Sequence, residues 1–170
     1  MTVLATERFE HIDAVFSGAG DTLSAALAAA NAGWQITVVD DNPAPGGQIW
    51  RSGPGAAPSA PAQRLRAALA ACPDVRLVCG TRVVAAQGGN ALLLEDAQRA
   101  WIQTFDALIL CTGARELMLP FPGWTLPGVT GAGALQALIK GGLPVRGQRI
   151  VLAGSGPLLL AAAASASSAG

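Results

Sequence analysis

Ala14-Val15-Phe16-Ser17-Gly18-Ala19-Gly20-Asp21 and, after an alanine-rich stretch, Ile36-Thr37-Val38-Val39-Asp40 decide how this chain is read. The two apolar runs are expected to be strands. The stretch from about Thr22 to Ala32 is expected to be a helix stopped by Gly33, with Gly18-Ala19-Gly20 as the turn between strand and helix. Such a βαβ unit is the outline of a fold that holds the adenine half of a dinucleotide. Glycines let the backbone approach a pyrophosphate, the helix N-terminus supplies N–H donors and positive potential, and a terminal carboxylate accepts from a ribose hydroxyl. The spacing from Gly18 to Asp40 agrees with the ~20 residues expected. One element departs from the pattern: Leu23 stands where the third glycine belongs. It is expected to push the helix off the strand or rotate its first turn, as would a one-residue deletion that brings Ser24 nearer. Asp21 has two readings, a helix cap or a carboxylate that repels phosphate.

Downstream, residues 41–61 read as loop, dense in proline and glycine. A short helix follows over Gln63 to Ala71, ended by Pro73. Val75 to Val84, Ala91 to Glu95 and Trp101 to Phe105 read as a small β-meander, with Gly88-Gly89-Asn90 turning between the first two. Ala107 to Cys111 is an apolar run of the kind a buried parallel strand shows, and it ends at Thr112-Gly113. After a proline-rich connection come a helix (about Ala132 to Lys140), a strand (Arg149 to Ala153), a second glycine turn (Gly154-Ser155-Gly156) and a helix from Leu158. Leu159 stands at the third position of that turn, as Leu23 does in the first. The expected organisation is 1–120 as one α/β nucleotide-binding domain, 121–148 as connection and helix, and 149–170 as the start of a second nucleotide-binding βα unit. That second unit is expected to be truncated, with room for a helix but none for its next strand.

Composition narrows the function classes. Lys+Arg and Asp+Glu number 11 each, giving zero formal charge, and no basic stripe points to nucleic acid or an anionic membrane. With 51% hydrophobic and 13% charged residues the chain is expected to bury a core. Cys72, Cys79 and Cys111 show no metal-ligand spacing and no C-x-x-C, and His11 is the single histidine, expected at the surface. Free thiols in a reducing cytoplasm are expected, with no metal. Glu7, Glu10 and Asp13 leave no apolar run for a secretory signal. The uncharged stretch Ile150 to Gly170 carries Gly154, Gly156 and Pro157, which fit a strand-turn-helix better than a membrane span. Two further features have both bland and chemical readings. Gly46-Gly47-Gln48 is either a flexible loop or a run of unobstructed backbone donors. Thr112-Gly113 is either a strand-ending turn or part of a ligand edge.

Ile36-Thr37-Val38-Val39-Asp40 followed by Pro43-Ala44-Pro45-Gly46-Gly47-Gln48-Ile49-Trp50-Arg51 resembles the FAD-dependent pyridine-nucleotide oxidoreductase superfamily. Leu108-Ile109-Leu110-Cys111-Thr112-Gly113-Ala114-Arg115-Glu116 is similar to its second flavin-contact strand, with Cys111 replacing an alanine. Leu119-Pro120-Phe121-Pro122-Gly123-Trp124 through Val129 is similar to the flavoprotein subunits of opine oxidase, hydrogen cyanide synthase and related amine or hydroxyproline dehydrogenases. The resemblance runs from about His11 to Leu160.

It implies FAD, with Gly18 and Gly20 at the pyrophosphate, Asp40 at the adenosine ribose, and Gly46, Gly47 and Gln48 along the ribityl and flavin side. It also implies the backbone near Val83 at the adenine and Thr112-Gly113 at the pyrophosphate region. Gly154 and Gly156 would open a second unit for NAD(P). The implied function is an oxidoreductase subunit that takes hydride from a C–H beside nitrogen of an amine or amino acid. Its electrons would pass to partner subunits in the cytoplasm, with peripheral membrane attachment through those partners. No residue stands out as a general base, and no catalytic residue is assigned. The alternative is a truncated, catalytically silent remnant or interaction module that keeps the fold without flavin. A simple NAD-binding module is weaker, because the Gly46–Gln48 and Thr112-Gly113 segments favour flavin.

Overall fold

The computed structural model describes residues 7–8, 12–18, 22–53, 55–114 and 116–170, the first two stretches as backbone. His11, Gly20 and Asp21, each singled out in the sequence, lie outside the described residues. The elements in chain order are β1 (Glu7–Arg8), β2 (Ile12–Gly18), α1 (Thr22–Asn31), β3 (Ile36–Asp40), α2 (Ala60–Ala71), β4 (Val75–Cys79), β5 (Arg82–Gln87), β6 (Ala91–Glu95), β7 (Ala100–Cys111), α3 (Ala132–Lys140) and α4 (Leu158–Ala169). They fall into two compact units, 1–50 with 58–113, and 51–57 with 114–170.

In the first unit the strands form one sheet ordered β4-β3-β2-β7-β6-β5, with β1 alongside β7. β4, β3, β2 and the C-terminal half of β7 run parallel, while β7, β6 and β5 form the antiparallel meander. Alternation along the parallel strands divides the core in two. Ile36 and Val38 face α1 and α2, where they pack with Leu23, Ala26, Ala30 and Leu69. Val39, with Val78 and Leu108 at its margin, packs instead with Leu92, Leu94, Trp101 and Phe105 of the meander. The parallel sheet is thus covered on both faces, by helices on one and by the meander on the other, which is why its strands read as unbroken apolar runs.

Gly18, expected in the turn, closes β2, and two boundaries further along depart from the sequence expectation as well. The run expected from Val75 to Val84 is two strands, because Gly80 takes φ +65°. Its N–H and that of Thr81 donate to the Asn42 and Asp40 carbonyls at 3.0 and 3.1 Å. A left-handed residue there ends β4 and turns the chain into the meander. Conversely, Trp101 to Phe105 and Ala107 to Cys111 are a single strand, β7, which changes partners along its length. Its first half pairs with β6 and its second half with β2.

Leu23 is the largest buried side chain of α1. It is fully buried and starts the stripe Leu23, Ala26, Ala30 that faces the sheet. The residue standing in for the third glycine is therefore a core residue, with volume that the surrounding side chains enclose.

In the second unit α3 packs on α4, with Leu135 and Ala162 buried and Gln136 Nε2 donating to Ser165 Oγ at 3.2 Å. Arg149 to Ala153, expected as a strand, forms none. Val151 stands 83% exposed. A strand exists only by pairing, and the unit offers this segment no neighbour among the described residues. The helix after it, α4, forms as expected.

Leu23→Ala is expected to lower stability by about 2–5 kcal/mol, and Leu23→Gly, which restores the glycine fingerprint, by ~1 kcal/mol more. Urea unfolding followed by circular dichroism checks both, and a neutral or stabilising Leu23→Gly would contradict the core assignment.

Candidate functional site

The carboxyl ends of the parallel strands line up. Gly18 of β2 pairs with Cys111 of β7, Ser17 with Val39, and Asp40 with Cys79 of β4. One row thus holds Gly18, Asp40, Cys79 and Cys111, with Thr112 and Gly113 just beyond it. From β2 the chain goes by α1 to β3 on one side, while β7 lies on the other. The gap between β2 and β7 is therefore the point where strand order reverses, and ligands of open parallel sheets sit at that point, outside the carboxyl ends.

Asp40 is 4% exposed. A carboxylate so enclosed must be hydrogen-bonded, and its own loop supplies the donors. Asn42 donates to Oδ1 through its backbone N–H at 2.9 Å and its Nδ2 at 2.8 Å. The Gly46 N–H donates to Oδ2 at 3.3 Å. Carboxylate oxygens together offer about four acceptor positions. Asp40 therefore keeps one, on Oδ2, that its loop does not use.

Gly46 serves a different need from the one its sequence suggested. Its N–H is committed to Asp40, and its φ is +118°. A Cβ there would stand 2.7 Å from Trp50 Cδ1. Glycine is required for the close approach of Trp50, and the donor left for a ligand is the next one. The Gly47 N–H has no hydrogen-bond partner among the described residues.

Val83 lies in β5 opposite Leu94, next to an irregularity in the pairing. The bond from Thr81 to the Asp40 carbonyl brings the start of this strand to the end of β3. Sequence order separates Val83 from Asp40, and the fold brings their segments together. Thr112 and Gly113 are exposed at the end of β7.

At the start of α1, the Thr22 hydroxyl is buried with no partner among the described residues. The Thr37 hydroxyl shares that condition but sits mid-strand, away from the row. An orphaned hydroxyl at a helix N-terminus, an unused acceptor on Asp40 and an unpartnered Gly47 donor are together what an anionic dinucleotide would complete. The residues fit the group.

Gly154 and Gly156 belong to the second unit, where they precede α4 with φ of +140° and +98°. The same unit holds a cleft of about 530 Å³ lined by Glu116, Met118, Trp124 and Thr130 among others. Glu116 Oε2 accepts from the Gly133 N–H at 2.9 Å and so caps α3. Among the described residues no group of His, Cys, Asp and Glu is arranged to hold a metal, and no helix is long and apolar enough to cross a membrane.

Residues 17–170 match the family described as pyridine nucleotide-disulphide oxidoreductase. The chain belongs to that family. FAD is the cofactor that membership implies. An opine oxidase subunit of Rhizobium meliloti is 36% identical over 185 residues, covering 91% of this chain and 33% of the relative. Hydrogen cyanide synthase subunit HcnB of Pseudomonas aeruginosa is 36% identical over 158 residues, covering 85% and 33%. The chain thus spans about a third of the length of these relatives. Among solved structures, L-proline dehydrogenase from P. horikoshii superposes with a TM-score of 0.63 at 15% identity, over 79% of this chain and 29% of that one. At that identity the likeness is one of fold, and it agrees with the mixed α/β Rossmann-like sheet seen here.

All three cysteines are free and half-buried. Burial pushes the Cys79 thiol above its ordinary pKa, the Asp40 carboxylate across the ladder adds to the rise, and Arg66 opposes it. A raised pKa leaves less thiolate at any given pH. In a Cys72→Ser, Cys111→Ser background, iodoacetamide is expected to label Cys79 with a rate midpoint above the ordinary cysteine range. Asp40→Asn should shift that midpoint down, and an unchanged midpoint would contradict the proximity of the two groups.

Proposed function

We propose that the first unit binds FAD as part of an oxidoreductase subunit whose substrate is an amine or amino acid. The observation that carries this reading is the aligned row of Gly18, Asp40 and Cys111 at the switch point of a sheet belonging to a pyridine-nucleotide oxidoreductase family. In this reading Gly18 and Gly20 face the pyrophosphate together with Thr112-Gly113, and the Thr22 hydroxyl is a donor to it. The free acceptor on Asp40 takes a ribose hydroxyl, the backbone near Val83 faces the adenine, and Gly47 and Gln48 line the flavin side with Gly46 behind them. Bound flavin would supply a two-electron acceptor for the hydride of a C–H beside nitrogen, leaving an iminium that gives up its N–H proton to water to become the imine. The chain's own residues bind and orient; none is assigned as a general base.

The substrate class rests on relatives. Besides opine oxidase, the alpha subunit of sarcosine oxidase from Rhizobium meliloti is 31% identical over 76% of this chain and 15% of its own length. Opines and sarcosine carry a C–H next to an amine nitrogen. The names of these relatives also describe subunits, which supports partner subunits as the electron acceptors. We read residues 1–120 as the FAD-binding part, 121–148 as connection and 149–170 as the opening of a second nucleotide unit in which Gly154 and Gly156 face NAD(P). A cytoplasmic setting, with any membrane attachment made through partners, fits the uncharged balance and the free thiols.

One observation favours a second reading, a fold kept for interaction without flavin. Asp40 is largely satisfied by its own loop and needs no ligand to be stable.

Titration with FAD separates the two. The flavoprotein reading predicts saturable quenching of flavin fluorescence. At a hundredfold excess over Kd it also predicts a stabilisation of about 2.7 kcal/mol, roughly 5–10 °C in Tm for a chain of this size. A colourless protein whose Tm ignores FAD would contradict it in favour of the fold kept without flavin, as a silent remnant or an interaction module.

A further inference from the structure

Arg66, on α2, lies outside every motif that the sequence displays, yet it holds the loop on which the flavin reading depends. Its Nε donates to the Pro45 carbonyl at 2.9 Å and its Nη2 to the Trp50 carbonyl at 3.2 Å. The Pro45 carbonyl and the Gly46 N–H belong to the same peptide group. Asp40 Oδ2 accepts from that N–H at 3.3 Å. One peptide plane is therefore held at both ends, by a cation from the helix layer and by a carboxylate at the end of β3. Charge-assisted bonds of this kind are the stronger ones, and two carbonyls held by a planar guanidinium fix its geometry as well.

The consequence falls on the next residues. Pro45 and Gly46 are buried, and Trp50 closes the loop by donating its N–H to the Gly46 carbonyl at 3.4 Å. The Gly46 carbonyl and the Gly47 N–H share the next peptide group, so the fixed plane before it, Gly46 at φ +118° and the bond from Trp50 together aim that unpartnered N–H in one direction. A ligand that meets a donor already aimed loses less entropy on binding than one that must order the loop first.

We propose that Arg66 is a positioning residue for the cofactor, clamping the Pro45–Gly46 peptide against Asp40 so that the Gly47 amide is presented in a fixed orientation. The proposal rests on the reading that FAD occupies this loop. It adds a residue from α2 whose side chain need not touch the ligand.

The test uses the full chain and FAD itself as the probe. Arg66→Met removes both bonds and is expected to weaken FAD binding about tenfold, the equivalent of 1.4 kcal/mol. Arg66→Lys reaches only one carbonyl and should fall between, with a loss of about threefold. Arg64→Met is the control, since Arg64 on the same helix donates to the Ala60 carbonyl within α2 at 3.4 Å. It should leave FAD affinity unchanged. The visible absorption band of the bound flavin reports its surroundings and should shift in Arg66→Met but not in Arg64→Met. Equal affinity in the wild type and Arg66→Lys would overturn the proposal, as would equal losses in Arg64→Met and Arg66→Met. If Arg66→Met does not fold, the Arg66→Lys comparison decides. Failure of the wild type itself to bind FAD would overturn the functional reading rather than the clamp. In that case the clamp is judged by amide exchange at Gly46, which should accelerate in Arg66→Lys and would refute the clamp if it did not.

Discussion

The buried carboxylate of Asp40 is the constraint on which the first unit turns. Side chain and backbone of this one residue tie the loop that follows it to a segment distant in sequence, at Cys79 and Thr81. Through Oδ1 and Oδ2 it gathers the loop after β3, and through its carbonyl it receives Thr81, where the chain leaves the parallel sheet for the meander. Its strand partner Cys79 ends β4. A charge this enclosed is tolerable only with its donors in place. The loop, the turn at Gly80 and the row of strand ends therefore form together. The same arrangement leaves a single acceptor position over, which is the chemical basis for placing a ribose there.

Around that point the layering makes the site possible. α1 and α2 cover one face of the parallel sheet and the meander covers the other, so the strands' carboxyl edge remains as the place where β2 and β7 part. α2 adds a role of its own. The helix that packs Leu69 into the core also carries Arg66 to the loop, so core packing and loop geometry are linked through one element.

Much of this could be read in the sequence, for identifiable reasons. Strands β2 and β3, helix α1 and the meander turn at Gly88-Gly89-Asn90 declare themselves by local periodicity and by glycine. Their expected bounds agree closely with those observed. Asp40 was legible as the end of β3 because the dinucleotide pattern sets a carboxylate at the close of the second strand, ~20 residues after the first glycine. What sequence could not show were features decided by contacts between distant segments. The division at Gly80 depends on acceptors at Asp40 and Asn42, and the fusion into β7 depends on two different partner strands. Gly46 resembled an open donor, but its N–H belongs to Asp40 and its missing side chain to Trp50. Arg66 carried no signal, since its acceptors lie 21 and 16 residues away. Arg149 to Ala153 has the composition of a strand and, among the described residues, no partner to pair with in its unit.

The central claim is that a dinucleotide sits across the carboxyl ends of β2, β3 and β7. Hydrogen–deuterium exchange with and without FAD tests it most directly. The account predicts that FAD slows exchange at Thr22, at Asp40 through Gln48 and at Thr112-Gly113, with the segment Ala132–Lys140 unaffected. Protection confined to the region around Gly154 and Gly156, or protection nowhere, would contradict it.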